Sequence, residues 1–145
     1  MIDGVVVEKL AIIKDDRGSV MRMIRKDSPL FGGCGEIYFS QVNLGAVKAW
    51  KKHLRMTQLF AVPSGNIKLV IYDDRESSST KGQISEIECG EDNYCLVKIP
   101  PMLWYGFKGL SAASALIVNC ADIVHDPDEI MRCPPDHSSI PYEWK

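Results

Sequence analysis

The sequence predicts an all-β protein, because short β-type runs recur along the chain while helical periodicity is scarce. The runs are rich in β-branched and aromatic residues, and each ends in Gly, Pro, Asn, Asp or Ser, which favour turns. Closely spaced strands of this kind are typical of a sandwich or barrel and not of alternating strands and helices. The runs are VVVEKLAII (5–13), EIYFSQVNL (36–44), AVKAW (46–50), QLFAVPSG (58–65), NIKLVIYDD (66–74), GQISEIEC (82–89), YCLVKIP (94–100) and ASALIVNCADIV (113–124).

The composition favours one globular domain over residues 1–145, with 46% hydrophobic and 25% charged residues. A net charge of −2 gives no overall attraction to nucleic acid. No apolar run approaches the ~20 residues that span a bilayer, and we expect no signal peptide at the start of the chain. Five cysteines without a CxxC pair argue against a disulfide framework, so we expect reduced thiols in the cytoplasm.

Two segments between and after the strands have distinct predictions. The most polar stretch, DDRESSSTKGQ (73–83), is expected to be an exposed loop, and PSGN (63–66) a tight turn between two strands. The Pro- and Asp-rich tail predicts one short helix near Pro127–Met131. Tyr142 and Trp144 are too apolar to remain exposed, so we expect the tail to pack across the barrel.

The stretch GAVKAWKKHLRMTQLFAVPSG (45–65) resembles the first metal-binding signature of the cupin family, in which Gly, His-x-His, Glu and Gly follow at fixed intervals. Residues two apart on a strand point to the same face, so two such histidines reach one ion. Here Lys51 and Gln58 replace two ligands and only His53 remains. In the second signature Tyr105 stands where a histidine is usual. We therefore predict that the protein binds no metal.

Further motifs, in order, resemble the dTDP-4-dehydrorhamnose 3,5-epimerase family over nearly the whole chain. The resemblance implies a cupin-type double-stranded β-helix, a jelly-roll barrel, with a short C-terminal helix and tail. It also implies that the arginine of the first motif reaches the nucleotide of the neighbouring subunit. The matching segments are Asp16-Arg17-Gly18, FSQVN (39–43), GAVKAWK (45–51), IPPMLWYGF (99–107), the DPDE near Pro127, and Trp144.

The resemblance also assigns site residues and shows where the chain departs from the family. It implies nucleotide contacts from Arg17, Gln41 and Asn43, and it puts Lys48 at the position of an arginine. The family removes a proton beside a ketone with a histidine and returns one from a tyrosine. Those positions hold Lys51 and Asn119, and Gln58 replaces a lysine that clamps the substrate. The implied fold and pocket are therefore kept while the catalytic groups differ.

The basic segment around Lys51 has two interpretations. Four cations lie within eight residues, which is either a solvated basic stripe or a site for a diphosphate. Strand alternation puts Lys51 and His53 on one face and Lys48 on the other, unless a bulge re-aims one of them. Lys51 is a base if burial beside other cations lowers its pKa, and otherwise a charged group that holds a phosphate or a carbonyl oxygen.

The remaining candidates also have structural alternatives. His53 is a general base or a hydrogen-bonded histidine that lines the barrel. Tyr105 donates a proton, binds a sugar hydroxyl, or is an amphipathic aromatic residue at the barrel mouth. Gln41 and Asn43 are expected to be buried amides whose hydrogen-bonding partner is the ligand.

Two functions of different class fit the sequence. The first is an isomerase acting on a nucleotide-linked 4-keto-6-deoxysugar in cell-surface polysaccharide biosynthesis, by removal and return of an α-proton without metal or redox cofactor. The second is a catalytically inactive cupin that binds a nucleotide sugar or another small anion. For either, we expect a homodimer in which Arg17 reaches the partner's pocket, since the hydrophobic N-terminal strand is otherwise an exposed edge.

Overall fold

The protein, described over residues 1–145 by a computed structural model, contains twelve β-strands and no α-helix. All strand pairings between named strands are antiparallel, as the strand-and-turn pattern predicts. The strands are β1 (Val6–Lys9), β2 (Ile12–Asp15), β3 (Gly18–Met21), β4 (Glu36–Val42), β5 (Val47–His53), β6 (Gln58–Ser64), β7 (Asn66–Tyr72), β8 (Ile84–Gly90), β9 (Cys95–Ile99), β10 (Trp104–Gly109), β11 (Ala115–Ala121) and β12 (Ile130–Arg132).

Ten of these strands form two five-stranded sheets that enclose the core. The first sheet has the order β1-β9-β6-β11-β4 and the second the order β12-β5-β10-β7-β8, while β2 and β3 form a separate hairpin. Inward side chains of both sheets form one apolar cluster, in which Ile67, Leu69 and Ile71 of β7 are completely buried. Each such side chain contributes roughly 1.5–3 kcal/mol on burial. No helix is long and apolar enough to cross a membrane.

The strand prediction is wrong at the N-terminus and incomplete elsewhere. VVVEKLAII forms two strands, because the chain leaves the first sheet at Leu10, whose N–H donates to the carbonyl of Tyr94 (2.9 Å). β3, β10 and β12 lie outside the predicted runs. β10 is buried on both faces, so its sequence lacks the alternation that marks a half-buried strand.

The C-terminal tail packs across the second sheet, as predicted. Asp126 caps a single 3₁₀ turn, Pro127–Glu129, and the chain continues directly as β12, so the expected helix is this one turn. Tyr142 and Trp144 pack against Trp50, with ring centroids 5.9 and 5.1 Å away. The tail therefore covers the outer face of β5 and leaves the inner face to the barrel interior.

The polar loop 73–83 is exposed along most of its length but is held by one fully buried carboxylate, a feature that its composition does not reveal. Asp73 accepts hydrogen bonds from the side chains of Arg75 (2.8 and 2.9 Å), Ser78 (2.6 Å) and Thr80 (2.7 Å). Burial by itself raises the pKa of Asp73, but these hydrogen bonds outweigh it and hold the pKa well below its usual range.

Replacing Asp73 with Asn tests whether this carboxylate organises the loop. We expect Asp73→Asn to lower the free energy of unfolding by about 2–3 kcal/mol at pH 7, because Arg75 loses its charged acceptor. The native pKa of Asp73 is depressed, so its contribution is present above the unfolded value of about 4 and is lost as pH falls. Urea unfolding at pH 7 and below pH 4 measures both effects.

The matched control is Glu76→Gln in the same loop. Glu76 pairs with Lys81, but its side chain is 90% exposed, so we expect the change in unfolding free energy to stay within about 0.5 kcal/mol. An equal loss of unfolding free energy in the two variants would contradict the role given to Asp73.

Candidate active site

A bulge in β5 turns both Lys48 and Lys51 into the barrel. Tyr105 of β10 pairs with Lys51 and Phe107 pairs with Lys48, so one residue on β10 lies opposite two on β5. Because two residues of β5 lie opposite a single residue of β10, the inward and outward alternation of the β5 side chains shifts by one position. Strict alternation would have placed the two lysines on opposite faces of β5. The bulge, which the sequence neither predicts nor excludes, brings both to one cavity.

The other two cations of the basic segment lie elsewhere. Lys52 points to the outer face, where its ammonium pairs with Asp74 at 2.5 Å and lies over the ring of Trp104. Arg55 pairs with Asp126 at 2.7 Å on the surface. The basic stripe is thus divided between a cavity and two ion pairs.

The cavity that receives Lys48 and Lys51 lies inside the barrel and has a volume of about 330 Å³. Lys48 and Arg132 are exposed at its mouth, Lys51 is half-buried, and Tyr105 and Asn119 lie buried within it. The lining residues are Tyr38, Ser40, Lys48, Ala49, Trp50, Lys51, Phe60, Tyr105, Phe107, Ile117, Asn119, Arg132 and Cys133.

The cavity has a positive mouth without a compensating carboxylate. No acidic residue lines it, and Lys48, Lys51 and Arg132 form no ion pair. The Lys48 ammonium donates to Ser40 Oγ (3.1 Å), and Arg132 lies opposite Lys51 in the pairing of β12 with β5. Three unpaired cations around one cavity are suited to a phosphate-bearing ligand.

Lys51 has an environment that favours its neutral amine. Burial lowers its pKa, and the charges of Arg132 and Lys48 lower it further. A lysine in such surroundings has a larger neutral fraction near pH 7 than an exposed one, and only the neutral amine accepts a proton.

The deep end of the cavity contains a polar group built from two neighbouring strands. Asn119 of β11 lies directly opposite Tyr38 of β4 in the first sheet. Its Nδ2 donates to the hydroxyl of Tyr38 (2.8 Å) and to Oε1 of Gln58 (3.1 Å), while its Oδ1 is buried without a partner. A phenol and an amide oxygen are therefore both placed at the cavity wall.

His53 lies behind this group in a buried pair with Glu129. Nδ1 of His53 and Oε1 of Glu129 are 2.5 Å apart, and Glu129 also accepts from the backbone N–H groups of Arg55 (3.1 Å) and Met56 (3.2 Å). Burial raises the pKa of Glu129, but these bonds outweigh it and lower the pKa below the usual value. Burial also lowers the pKa of His53, which favours a neutral imidazole that donates its Nδ1–H to the Glu129 carboxylate.

A smaller recess of about 270 Å³ adjoins the cavity and shares two residues with it, Tyr38 and Lys51. His53 lines this recess together with Glu36, Met56, His125 and Ile130. Lys51 thus borders both spaces.

The structure brings together some of the predicted site residues and separates others. Lys48, Lys51, Tyr105 and Asn119 line the cavity. His53 and Gln58 lie behind it, and Tyr105 contacts the histidine, since its hydroxyl is 3.4 Å from His53 Nε2. Tyr105 is only 4% exposed, so it lies inside the barrel and not at the mouth.

Three predicted nucleotide contacts lie outside the cavity of this chain. Gln41 and Asn43 are exposed, contrary to the expectation that they are buried, because the inward residues of β4 are Tyr38, Ser40 and Val42. Arg17, at the tip of the β2–β3 hairpin, has its side chain 85% exposed and pairs with Asp15.

Sequence reasoning missed Tyr38, Arg132 and Glu129. Tyr38 belongs to a predicted strand, and its spacing of two from Ser40 was the available signal for a shared inward face. Glu129 lies within the DPDE motif, but nothing local indicates that its carboxylate is buried. Arg132 reaches the cavity only because β12 pairs with β5.

Comparison with known proteins relates the whole chain to one family. The model of the dTDP-4-dehydrorhamnose 3,5-epimerase family matches residues 1–145. The spore coat polysaccharide biosynthesis protein SpsL of Bacillus subtilis is 34% identical over 99% of this chain and 97% of its own. A protein of Haloferax volcanii named "probable low-salt glycan biosynthesis epimerase" is 36% identical over 98% of this chain and 89% of its own.

Solved structures agree with these matches. A dTDP sugar isomerase from Desulfovibrio desulfuricans has a TM-score of 0.96 at 47% identity, covering 99% of this chain and 92% of that one. A 3'-monoepimerase from Streptomyces bikiniensis, solved with dTDP-quinovose, has a TM-score of 0.88 at 18% identity, covering 99% and 76%, and shares the fold. The predicted jelly-roll barrel is thereby confirmed.

The protonation of His53 is open to direct measurement. We expect ring ¹⁵N shifts at pH 6.5 to show a neutral imidazole with its proton on Nδ1, because burial lowers the pKa below the ordinary value of about 6.5 and Glu129 accepts that proton. An unfolded histidine takes up a proton as pH falls through this value, so this pair makes the fold less stable below it.

In the Glu129→Gln variant we expect His53 to lose its preference for the Nδ1–H tautomer. His137, which is exposed and does not contact Glu129, is the internal control, and its ring shifts should be the same in both proteins. A protonated His53 at pH 6.5, or a proton on Nε2 of the wild type, would contradict the assigned pair.

Proposed function

The chain belongs to the dTDP-4-dehydrorhamnose 3,5-epimerase family, and we propose that it is an isomerase acting on a dTDP-linked 4-keto-6-deoxysugar in polysaccharide biosynthesis. Its solved relative at 47% identity is named a dTDP sugar isomerase, and SpsL is named for spore coat polysaccharide biosynthesis. The proposed chemical step is removal of a proton from a carbon beside the ketone and its return, which epimerisation and ketone migration share.

The position of Lys51 is the observation that carries this proposal. Its half-buried side chain lines the same cavity as the exposed cations Lys48 and Arg132 and as the polar group of Tyr38 and the buried Asn119. A sugar nucleotide has groups that match these side chains, because its charged diphosphate is joined to a sugar that carries hydroxyl groups. Lys51 therefore lies where the sugar follows the diphosphate.

Lys48 and Arg132 bind the diphosphate in this proposal. Both are exposed cations at the mouth, neither is paired with a carboxylate, and Ser40 adds a hydroxyl beside Lys48. Such charge-assisted contacts are roughly twice as strong as neutral hydrogen bonds. They hold the sugar in the cavity but do not react.

Lys51 acts as the base. Its neutral amine takes the α-proton and becomes an ammonium, and the electron pair of the C–H bond moves into the carbonyl to form an enolate. The Tyr38 hydroxyl donates a hydrogen bond to the developing oxyanion. Transfer of a proton back to carbon regenerates the amine, so the cycle consumes no redox cofactor. We place this chemistry in the cytoplasm, since five free thiols suit a reducing compartment.

We further propose that the working unit is a homodimer. The β2–β3 hairpin pairs only with itself, and a two-stranded sheet is marginally stable alone. Large apolar side chains are exposed on this hairpin (Ile13, Val20) and on β4, an edge of the first sheet (Ile37, Phe39). A second copy that covers these surfaces would also bring Arg17 of one chain to the nucleotide in the other.

Proton exchange in D₂O tests the proposed reaction. With dTDP-4-keto-6-deoxyglucose, we expect wild type to exchange a proton at C3 or C5, as followed by ¹H NMR. Lys51→Met should lower the exchange rate about 10²- to 10⁴-fold, the usual contribution of one general base. Lys48→Ala should chiefly weaken nucleotide binding, and this loss should shrink as salt concentration rises.

Arg55→Gln is the matched control, because it removes a cation of the same basic segment that lies outside the cavity. It should leave exchange unchanged. If wild type binds the nucleotide sugar through both lysines but exchanges no proton with any 4-keto sugar, the isomerase proposal is wrong and the barrel is a binding protein.

Mixing two inactive variants tests the dimer. Wild type should sediment as a dimer at micromolar concentration, and both Arg17→Ala and Lys51→Met should lose activity. Co-expressed together, they form some dimers in which one site contains both intact residues. Random pairing then restores about a quarter of wild-type activity. A monomer in sedimentation, or no recovery on mixing, would overturn the shared site.

A further inference from the structure

Six polar side chains form two hydrogen-bonded groups in the barrel interior. In the first, Glu129 contacts His53 (2.5 Å), and His53 Nε2 contacts the hydroxyl of Tyr105 (3.4 Å). In the second, Gln58 accepts at Oε1 from Asn119 (3.1 Å), which also donates to the hydroxyl of Tyr38 (2.8 Å).

The donors and acceptors of each group follow from its own contacts. A carboxylate only accepts, so His53 donates from Nδ1 and its Nε2 accepts from Tyr105. In the second group, Gln58 Oε1 and the Tyr38 oxygen both lie at Asn119 Nδ2, so Asn119 donates to both. Any flip of the Asn119 amide would put two carbonyl oxygens face to face.

These contacts leave one donor and one acceptor free in the second group. Both N–H bonds of Asn119 are used, so its Oδ1 has no partner although the residue is only 1% exposed. Tyr38 accepts from Asn119, so its own O–H remains free to donate. A buried acceptor without a partner costs roughly 1–3 kcal/mol, which a ligand hydroxyl would recover.

We propose that Tyr38 and Asn119 recognise an α-hydroxyketone, with the Tyr38 hydroxyl donating to the ketone oxygen and Asn119 Oδ1 accepting from the hydroxyl on the adjacent carbon. This inference rests on the proposed function for the identity of the sugar. In a 4-keto-6-deoxyhexose, C3 carries the only hydroxyl adjacent to the ketone, because C5 bears the methyl group and the ring oxygen. Asn119 thereby selects substrates that have a 3-hydroxyl.

The experiment compares dTDP-4-keto-6-deoxyglucose with its 3-deoxy counterpart, by calorimetric binding and by exchange at C5 in D₂O. We expect wild type to bind the 3-deoxy probe about 10- to 100-fold more weakly, as the cost of leaving Oδ1 unpaired predicts. Asn119→Leu, of similar size but without an acceptor, should bind both probes with the affinity that wild type has for the 3-deoxy probe.

Tyr38→Phe separates the ketone contact from the hydroxyl contact. Both probes contain the ketone, so this variant should weaken the binding of both by a similar factor and keep their ratio. Arg55→Gln, a surface change outside the cavity, is the control and should keep both affinities. If Asn119→Leu fails to fold, the ratio of the affinities of wild type for the two probes still tests the inference.

Equal binding of the two probes by wild type would overturn the inference, whether or not exchange occurs. Exchange at C5 with equal affinities would leave the proposed isomerase intact. A wild type that discriminates between the probes yet exchanges no proton would support the recognition by Asn119 and refute the proposed reaction.

Discussion

The buried hydrogen bond between Glu129 and His53 is the interaction on which the organisation of the cavity depends. Each side chain is at most 3% exposed, and a carboxylate so buried is tolerated because Arg55 and Met56 donate their backbone N–H groups to it. The bond ties the C-terminal segment to β5. It thereby holds β12 beside β5, with Arg132 opposite Lys51.

The bulge in β5 is the second constraint, because it decides what each cation does. A regular strand would place Lys48 on the outer face with Lys52, away from Lys51. With the bulge, Lys48 and Lys51 enter one cavity while Lys52 pairs with Asp74 outside. The cations at the mouth also favour the neutral form of Lys51, so the charges that suit a diphosphate also suit a lysine base.

The cavity combines an amine, an amide and a phenol that come from three strands. Lys51 of β5 lines it, and His53 of the same strand lies further inside with Glu129. Asn119 of β11 and Tyr38 of β4 are direct neighbours in the first sheet, so the phenol and the amide lie at the same wall. The motif resemblance alone predicts Lys51 and Asn119 at the positions of the family's histidine and tyrosine.

Much of the fold and part of the site follow from the sequence, since turn residues and strand composition act locally. The all-β barrel, the tail packing through Trp144, and the inward position of Lys51 were all predictable, whereas the entry of Lys48 into the cavity depends on the bulge in β5. The inward face of β4 was not, because both of its faces carry apolar residues, and period-two alternation alone cannot decide between them. Only the tertiary structure places Glu129 in the core, because its partner His53 lies 76 residues away along the chain.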